Sequence, residues 1–302
     1  MQLRRFAVVY AFMKLRWALA GFGLIANSAV GQIQVELRFP RLQYIAYEPV
    51  VANLTITNLA GRKVDLRDDG GQAWFGFEVS GSEGQSIPQI SKVATAPLTV
   101  AAGQRITRKI NITPLYGVHD FGTYRVRAHV YLPDLNKFFY STTRVFEVTD
   151  ARPIWQKTVG VPPEGNASGK ARTYSLMTNR FPDHTSLYVR VEDKDSGMVY
   201  ATYSLGQIIA FDQPQAEFDH SNQLHVLYCA APHTWSYARV GLNGELVSRA
   251  SFRETKNRPH LVHFNDGVIK VAGGMMDTTV TQAARDNASK LSARPANAPR
   301  DE

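Results

Sequence analysis

The stretch Glu192-Asp193-Lys194-Asp195-Ser196-Gly197 crowds three carboxylates into one short loop. Calcium binds through several oxygens on a loop that a glycine lets turn, so Glu192, Asp193 and Asp195 are the candidate metal ligands and calcium is the cofactor they suit. The ligand set is short of a full EF-hand loop and Lys194 sits inside it, so the plainer reading is a solvated turn between strands, with no cofactor. Asp65, Asp68 and Asp69 ahead of Gly70-Gly71 mark an ordinary turn. A second group is basic. Arg125, Arg127, His129 and Tyr131 occupy alternate positions, which places them on one face of a strand, with Lys109 expected beside them on the preceding strand. Such a row can hold an acidic partner or a glycan; its ordinary role is a solvated face that discourages edge pairing. A third group is acidic. Asp212, Asp219 and Asp266 fall at expected loop positions, and glycoside hydrolysis needs two carboxylates about 5–10 Å apart in a cleft. Aspartates are also common turn formers.

Six of the eight histidines lie in the second half: His184, His220, His225, His233, His260 and His263. In a strand, His260 and His263 would point to opposite faces, so a shared metal is awkward for them. The chain has one cysteine, Cys229, inside the strand-like run Leu224 to Ala230. That excludes an internal disulfide framework and a cysteine-rich zinc site, and leaves Cys229 as a small buried apolar side chain. There is no nucleophile elbow, no H-E-x-x-H and no phosphate loop.

The elements that carry these residues are read from the whole chain of 302 residues. Residues 1–31 read as a secretory signal peptide. Lys14 and Arg16 precede the apolar stretch Trp17 to Ile25, and Ala29-Val30-Gly31 places small residues ahead of a cleavage before Gln32. Met13 is an alternative start that gives a more compact signal. The uninterrupted apolar run is well short of the ~20 residues that span a bilayer, so no stable membrane span is expected after cleavage. The formal net charge is +8, but four of the 34 cations lie in this leader, leaving 30 against 26 acids. The pI of about 9.5 is therefore not a nucleic-acid footprint. An export signal without disulfides points to a bacterial protein in the periplasm or outside the cell.

Residues 32–150 alternate with period two, as half-buried strands do. Ala52, Leu54 and Ile56 share a face, as do Phe75, Phe77 and Val79, and as do Tyr124, Val126, Ala128 and Val130. Glycine, aspartate and asparagine clusters separate the runs. Asp120-Phe121-Gly122-Thr123-Tyr124-Arg125-Val126 resembles the D-x-G-x-Y-x-C segment of immunoglobulin-family domains, with Val126 in place of the cysteine. The resemblance implies a disulfide-free, bacterial Ig-like or fibronectin-type sandwich in which Asp120, Gly122 and Tyr124 are structural and the Tyr124 hydroxyl bonds backbone upstream.

Residues 171–275 repeat. Shifting residues 185–205 by 37 aligns Leu187, Val189, Tyr200, Ala201 and Leu205 with Leu224, Val226, Tyr237, Ala238 and Leu242, five identities in 21 positions. A shift of 45 aligns Pro214, Leu224 and Val226 with Pro259, Ile269 and Val271. Gly206 and Asn243-Gly244 are read as tight turns between strands. The spacing is similar to that of β-propeller blades. Two-odd units cannot close a propeller, so the sheets must stack as an open pair, be covered by the preceding domain, or combine between chains. Residues 151–170 read as a linker, and residues 276–302 as a disordered tail.

The expectation is an all-β exported protein: an Ig-like sandwich followed by a short array of propeller-blade-like antiparallel repeats. Its leading function is non-catalytic binding or structural engagement of a protein or polysaccharide partner, with no nucleic acid. The alternative is a carbohydrate-active hydrolase with carboxylates on the repeat loops.

Overall fold

The computed structural model describes residues 32–91, 96–161, 170–209 and 212–277. The leader and nearly all of the tail lie outside the described residues. Among the described residues, no helix is long and apolar enough to cross a membrane, and the architecture is all-β.

The described residues of the first half hold ten strands: β1 (Ile33–Arg38), β2 (Gln43–Ile45), β3 (Val51–Asn58), β4 (Val64–Leu66), β5 (Phe75–Ser80), β6 (Leu98–Val100), β7 (Arg105–Asn111), β8 (Gly122–Leu132), β9 (Lys137–Tyr140) and β10 (Arg144–Thr149). One sheet has the order β1-β3-β7. A second has the order β2-β10-β8-β5 with β9 beside β8, and β4 pairs β6. Every pair is antiparallel except β2 with β10. The alternation seen in the sequence becomes burial. Leu37, Leu54 and Ile56 of the first sheet and Phe77, Val126 and Phe146 of the second belong to one apolar core. The Tyr124 hydroxyl donates to the Asp120 carbonyl at 2.9 Å. Gly122 holds φ 139°, where a side chain is disfavoured.

The second half holds β11 (Arg152–Gly160), β12 (Ala171–Arg180), β13 (Thr185–Asp193) and β14 (Val199–Gln207) in one sheet. A second sheet is formed by β15 (Gln215–Phe218), β16 (Leu224–Ala231), β17 (Thr234–Val240), β18 (Leu246–Arg253) and β21 (Met275–Asp277). The hairpin of β19 (His260–His263) and β20 (Ile269–Ala272) stands apart. The two sheets stack through Tyr174, Leu176, Val189, Tyr203, Val226 and Tyr228. Both sheets are also covered on their outer faces. Leu261 and Val271 of the hairpin pack on Leu227, Cys229, Trp235 and Phe252. Ile45 and Ala151 pack on Met177 and Tyr188. Two-sided burial explains why β16 reads as an apolar run broken only by His225 rather than an alternating one.

Three expectations about the elements are corrected. Arg152–Gly160 is a strand laddered to β12, not linker; Pro153 obscured the pattern, and pairing with β12 decides it. Gly206 does not turn the chain but lies inside β14 opposite Leu187. Met276 and Asp277 extend the second sheet beside β18 instead of opening the tail.

Candidate functional site

The basic row stands on the outer face of β8, because its inward neighbours Val126, Ala128 and Val130 are needed in the core. The cross-strand register places Ser80 opposite Arg125, Glu78 opposite Arg127 and Gly76 opposite His129 on β5. On the other side, Tyr140 and Phe138 of β9 stand opposite His129 and Tyr131. Arg127 donates from Nε and Nη2 to Glu78 Oε2 at 2.9 and 2.6 Å. Its guanidinium carbon lies 4.1 Å from the Tyr140 ring centroid. Gly76 leaves room for the His129 ring, which a Cβ at that position would approach to 2.7 Å and push aside. His129 packs against Phe138 and Tyr140 with centroids 5.5 and 6.0 Å away. Burial pushes its pKa down, so the ring is neutral at pH 7. Tyr131 is buried, and its hydroxyl donates to Asn136 Oδ1 at 2.9 Å.

Beside this row lies a groove of about 390 Å³ lined by Glu78, Ser80, Ser86, Arg125, Arg127 and Thr143. Arg127 is held by Glu78, whereas among the described residues Arg125 makes only long contacts of 3.4 Å to the Gly81 and Ser82 carbonyls. Its guanidinium is therefore the donor most available to a ligand. Among the groove's lining residues stand hydroxyls, two guanidinium groups and one carboxylate, with no nucleophile–base pair and no second acid. That chemistry binds polar or anionic groups. Lys109 is not part of the face: β7 belongs to the opposite sheet, so a neighbour in sequence is not a neighbour in space.

The structure does not bring Glu192, Asp193 and Asp195 together as a metal site. Asp193 Oδ1 accepts the backbone N–H of Asp195 and Ser196 and the Ser196 hydroxyl, at 3.1, 3.0 and 3.0 Å. Its Oδ2 accepts Arg172 Nη1 at 2.7 Å. The Ser196 N–H leads in holding this carboxyl below the usual aspartate range. Glu192 alternates to the other face of β13, and burial pushes its carboxyl up. Among the described residues, no cluster of three or more His, Cys, Asp or Glu could hold a metal ion.

The three candidate hydrolase acids each have a local partner. Asp212 Oδ2 accepts Arg258 at 2.5 Å, and Asp266 Oδ1 accepts the Val268 N–H at 3.1 Å. Asp219 Oδ1 accepts the Ser221 and Gln223 N–H groups, both at 2.9 Å. Its Oδ2 lies 3.0 Å from His225 Nε2, and His225 Nδ1 lies 2.8 Å from the Tyr237 hydroxyl. With Asp219 ionised, the neutral ring donates from Nε2 and accepts the tyrosine proton at Nδ1. This Asp219–His225–Tyr237 chain escapes the sequence reading; its one signal is a histidine inside the apolar run that begins at Leu224. Also missed is Arg41, which joins the two halves. It donates to Glu48 Oε1 at 2.5 Å and to the Tyr188 hydroxyl at 2.9 Å.

No family model matches the chain, and no curated protein matches it. One similar solved structure is Spo0M, a sporulation control protein from Bacillus subtilis. It is 10% identical with a TM-score of 0.29, over 58% of this chain and 91% of that one. That likeness is too low to carry an argument about fold or function.

Proposed function

We propose that this is an exported, non-catalytic recognition protein that takes an acidic glycan in the groove on the outer face of β5 and β8. The observation that carries the reading is the pairing of a rigid wall with a loosely held donor. Arg127 is locked between Glu78 and Tyr140, while among the described residues Arg125 beside it has only two long backbone contacts. Ser80, Ser86 and Thr143 supply hydroxyl partners for sugar hydroxyls, and Arg125 supplies a partner for a carboxylate. We read the first half as an Ig-like sandwich, which the Tyr124–Asp120 bond supports, and the second as a stacked pair of blade-like sheets. In this reading the rigid β scaffold holds the groove and the loops at its rim select the ligand.

The test is titration with neutral and uronate-containing oligosaccharides by calorimetry. The expected outcome is binding of the acidic ones alone. Arg125→Ala should weaken it about tenfold or more, the scale of a hydrogen bond to a charged group. Equal affinity in the Arg125→Ala variant, or no binding of any acidic oligosaccharide, would sink the reading. The hydrolase alternative is less favoured, because among the described residues the cleft that Asp212 lines with Trp235 and His260 holds no second carboxylate and Asp212 is paired with Arg258.

A further inference from the structure

A strand paired on one side only presents a row of backbone donors and acceptors that will pair with any suitable chain. Among the described residues of the second half, most sheet edges are short or covered. In the second sheet of the second half, the edge strands β15 and β21 have four and three residues. Strand β14, at one edge of the first of those sheets, is buried along most of its length. Strand β11, at the other edge, is different. It runs for nine residues and is exposed at all but Trp155 and Val159. Among the described residues β12 is its one strand partner, and at its far end the Gly160 carbonyl accepts Asn222 Nδ2 at 2.9 Å. A bulge at Pro153 to Trp155 interrupts its start, leaving Trp155 to Gly160 as a regular ladder.

The side chains say what would pair there. Strand β11 carries Arg152 and Lys157 and no acid. Neither cation has a carboxylate within ion-pair distance among the described residues. Lys157 lies on the same face as Trp155 and Val159, its Nζ 5.5 Å from the Phe218 ring centroid, and Trp155 stacks on Phe218 at 6.1 Å. An incoming strand would therefore meet an apolar flank on that face, with one positive charge in the middle of it. A second copy of the chain fits poorly. Antiparallel self-pairing centred on Lys157 sets like charges opposite each other, and any other register still adds two uncompensated cations to two.

We infer that the free edge of β11 is a docking strand for an extended acidic segment of a partner polypeptide, which adds to the sheet beside Trp155 to Val159, short of the Gly160 carbonyl that Asn222 occupies, with a carboxylate facing Lys157. Backbone bonds supply the attachment, and Lys157 supplies the choice of partner. This surface is separate from the β5–β8 groove and does not depend on the glycan reading. If both hold, the molecule is an adaptor between a glycan and a protein.

The experiment has two stages. Light scattering and backbone hydrogen exchange are measured on the chain alone. Exchange is then repeated with capped heptapeptides that alternate Val with Glu and Thr, and with the matched Lys-for-Glu peptides. The expected result is a monomer whose outward amides between Gln156 and Gly160 exchange fast. The acidic peptides should slow them at least tenfold. Lys157→Glu, at an exposed position with no ion pair to lose, should weaken the acidic peptides at least tenfold and admit the basic ones. Lys157→Gln should be intermediate, which separates lost attraction from disturbed folding. Three results would overturn the proposal: those amides already protected in the chain alone or in a dimer, no slowing by any acidic peptide at millimolar concentration, or unchanged acidic-peptide affinity in Lys157→Glu.

Discussion

His225 is 2% exposed, yet both ring nitrogens have partners, so the ring is buried without being orphaned. Burial is the main influence on it and pushes its pKa below the ordinary 6.5, with Asp219 pulling the other way and Arg239 and His263 adding to the push. The sign of the pH dependence follows. A histidine with a lowered folded pKa is harder to charge folded than unfolded, so the stability it supports is present above about pH 6.5 and is lost as pH falls below that. Asp219 is held low despite its burial, chiefly by the His225 bond, so its own loss begins only as pH falls below about 4. Urea unfolding should therefore show stability falling between pH 7 and 5. His225→Gln should remove a slope of at most about 1.4 kcal/mol per pH unit, the value for one proton. An unchanged slope in that variant would mean that the ring is not the group that titrates. At the same scale, the face that carries Arg125 and Arg127 was legible in the sequence, because alternation alone places a side chain on a face. Their partners were not. Glu78 lies 49 residues from Arg127, and only strand register sets them side by side.

Two turns in different halves are built alike. Gly81 N–H bonds the Gln85 carbonyl and Gly84 N–H the Gly81 carbonyl; Gly241, Glu245 and Gly244 repeat that pattern. Gly84 and Gly244 hold φ of 82° and 81°, so alanine is strained at both by the same backbone term. Their surroundings differ. A Cβ at Gly84 meets nothing within 4 Å, whereas at Gly244 it would come within 2.5 Å of the Ala201 Cβ in the facing sheet. Gly84→Ala should cost about 1–2 kcal/mol and Gly244→Ala about 1–3 kcal/mol more, read from denaturant midpoints. Equal costs would mean that the facing sheets move apart freely at that turn. The 37-residue repeat shows the same divergence between sequence and setting. It aligns β13 with β16 and β14 with β17, but β13 and β14 are the last two strands of their sheet while β16 and β17 are internal to theirs. Gly206 and Gly244 follow similar leucine-led segments, yet one sits in a ladder and the other in a turn.

At the scale of the molecule, the 41–48 segment of the first half is seated on the outer face of β12 and β13. Ile45 packs with Met177 and Tyr188, and Arg190 Nη2 donates to the Ala46 carbonyl at 2.9 Å. Glu48 is 4% exposed, and burial pushes its carboxyl up against the pull of Arg41 and the Ile45 N–H. Arg41 bonds both Glu48 and Tyr188, so it ties the charge of one half to a hydroxyl of the other. Arg41→Met would leave Glu48 buried with only the Ile45 N–H among the described residues and should cost about 1–3 kcal/mol in urea unfolding, below the scale of a fully buried pair because the Arg41 side chain is 35% exposed. A loss below about 1 kcal/mol would show that the apolar contacts hold the joint alone.

The sequence by itself determined the all-β class, the inward and outward faces of the first half and the burial of Cys229. Each depends on residues a few positions apart, where strand geometry leaves few choices. The tertiary structure alone decided which strands lie together. It made a strand of Arg152–Gly160, set β7 apart from β8, took up Asp193 with Arg172, and coupled Asp219, His225 and Tyr237. The physical reason is that a strand's side chains alternate by its own geometry, whereas its neighbours are chosen by burial and hydrogen bonding across the whole chain.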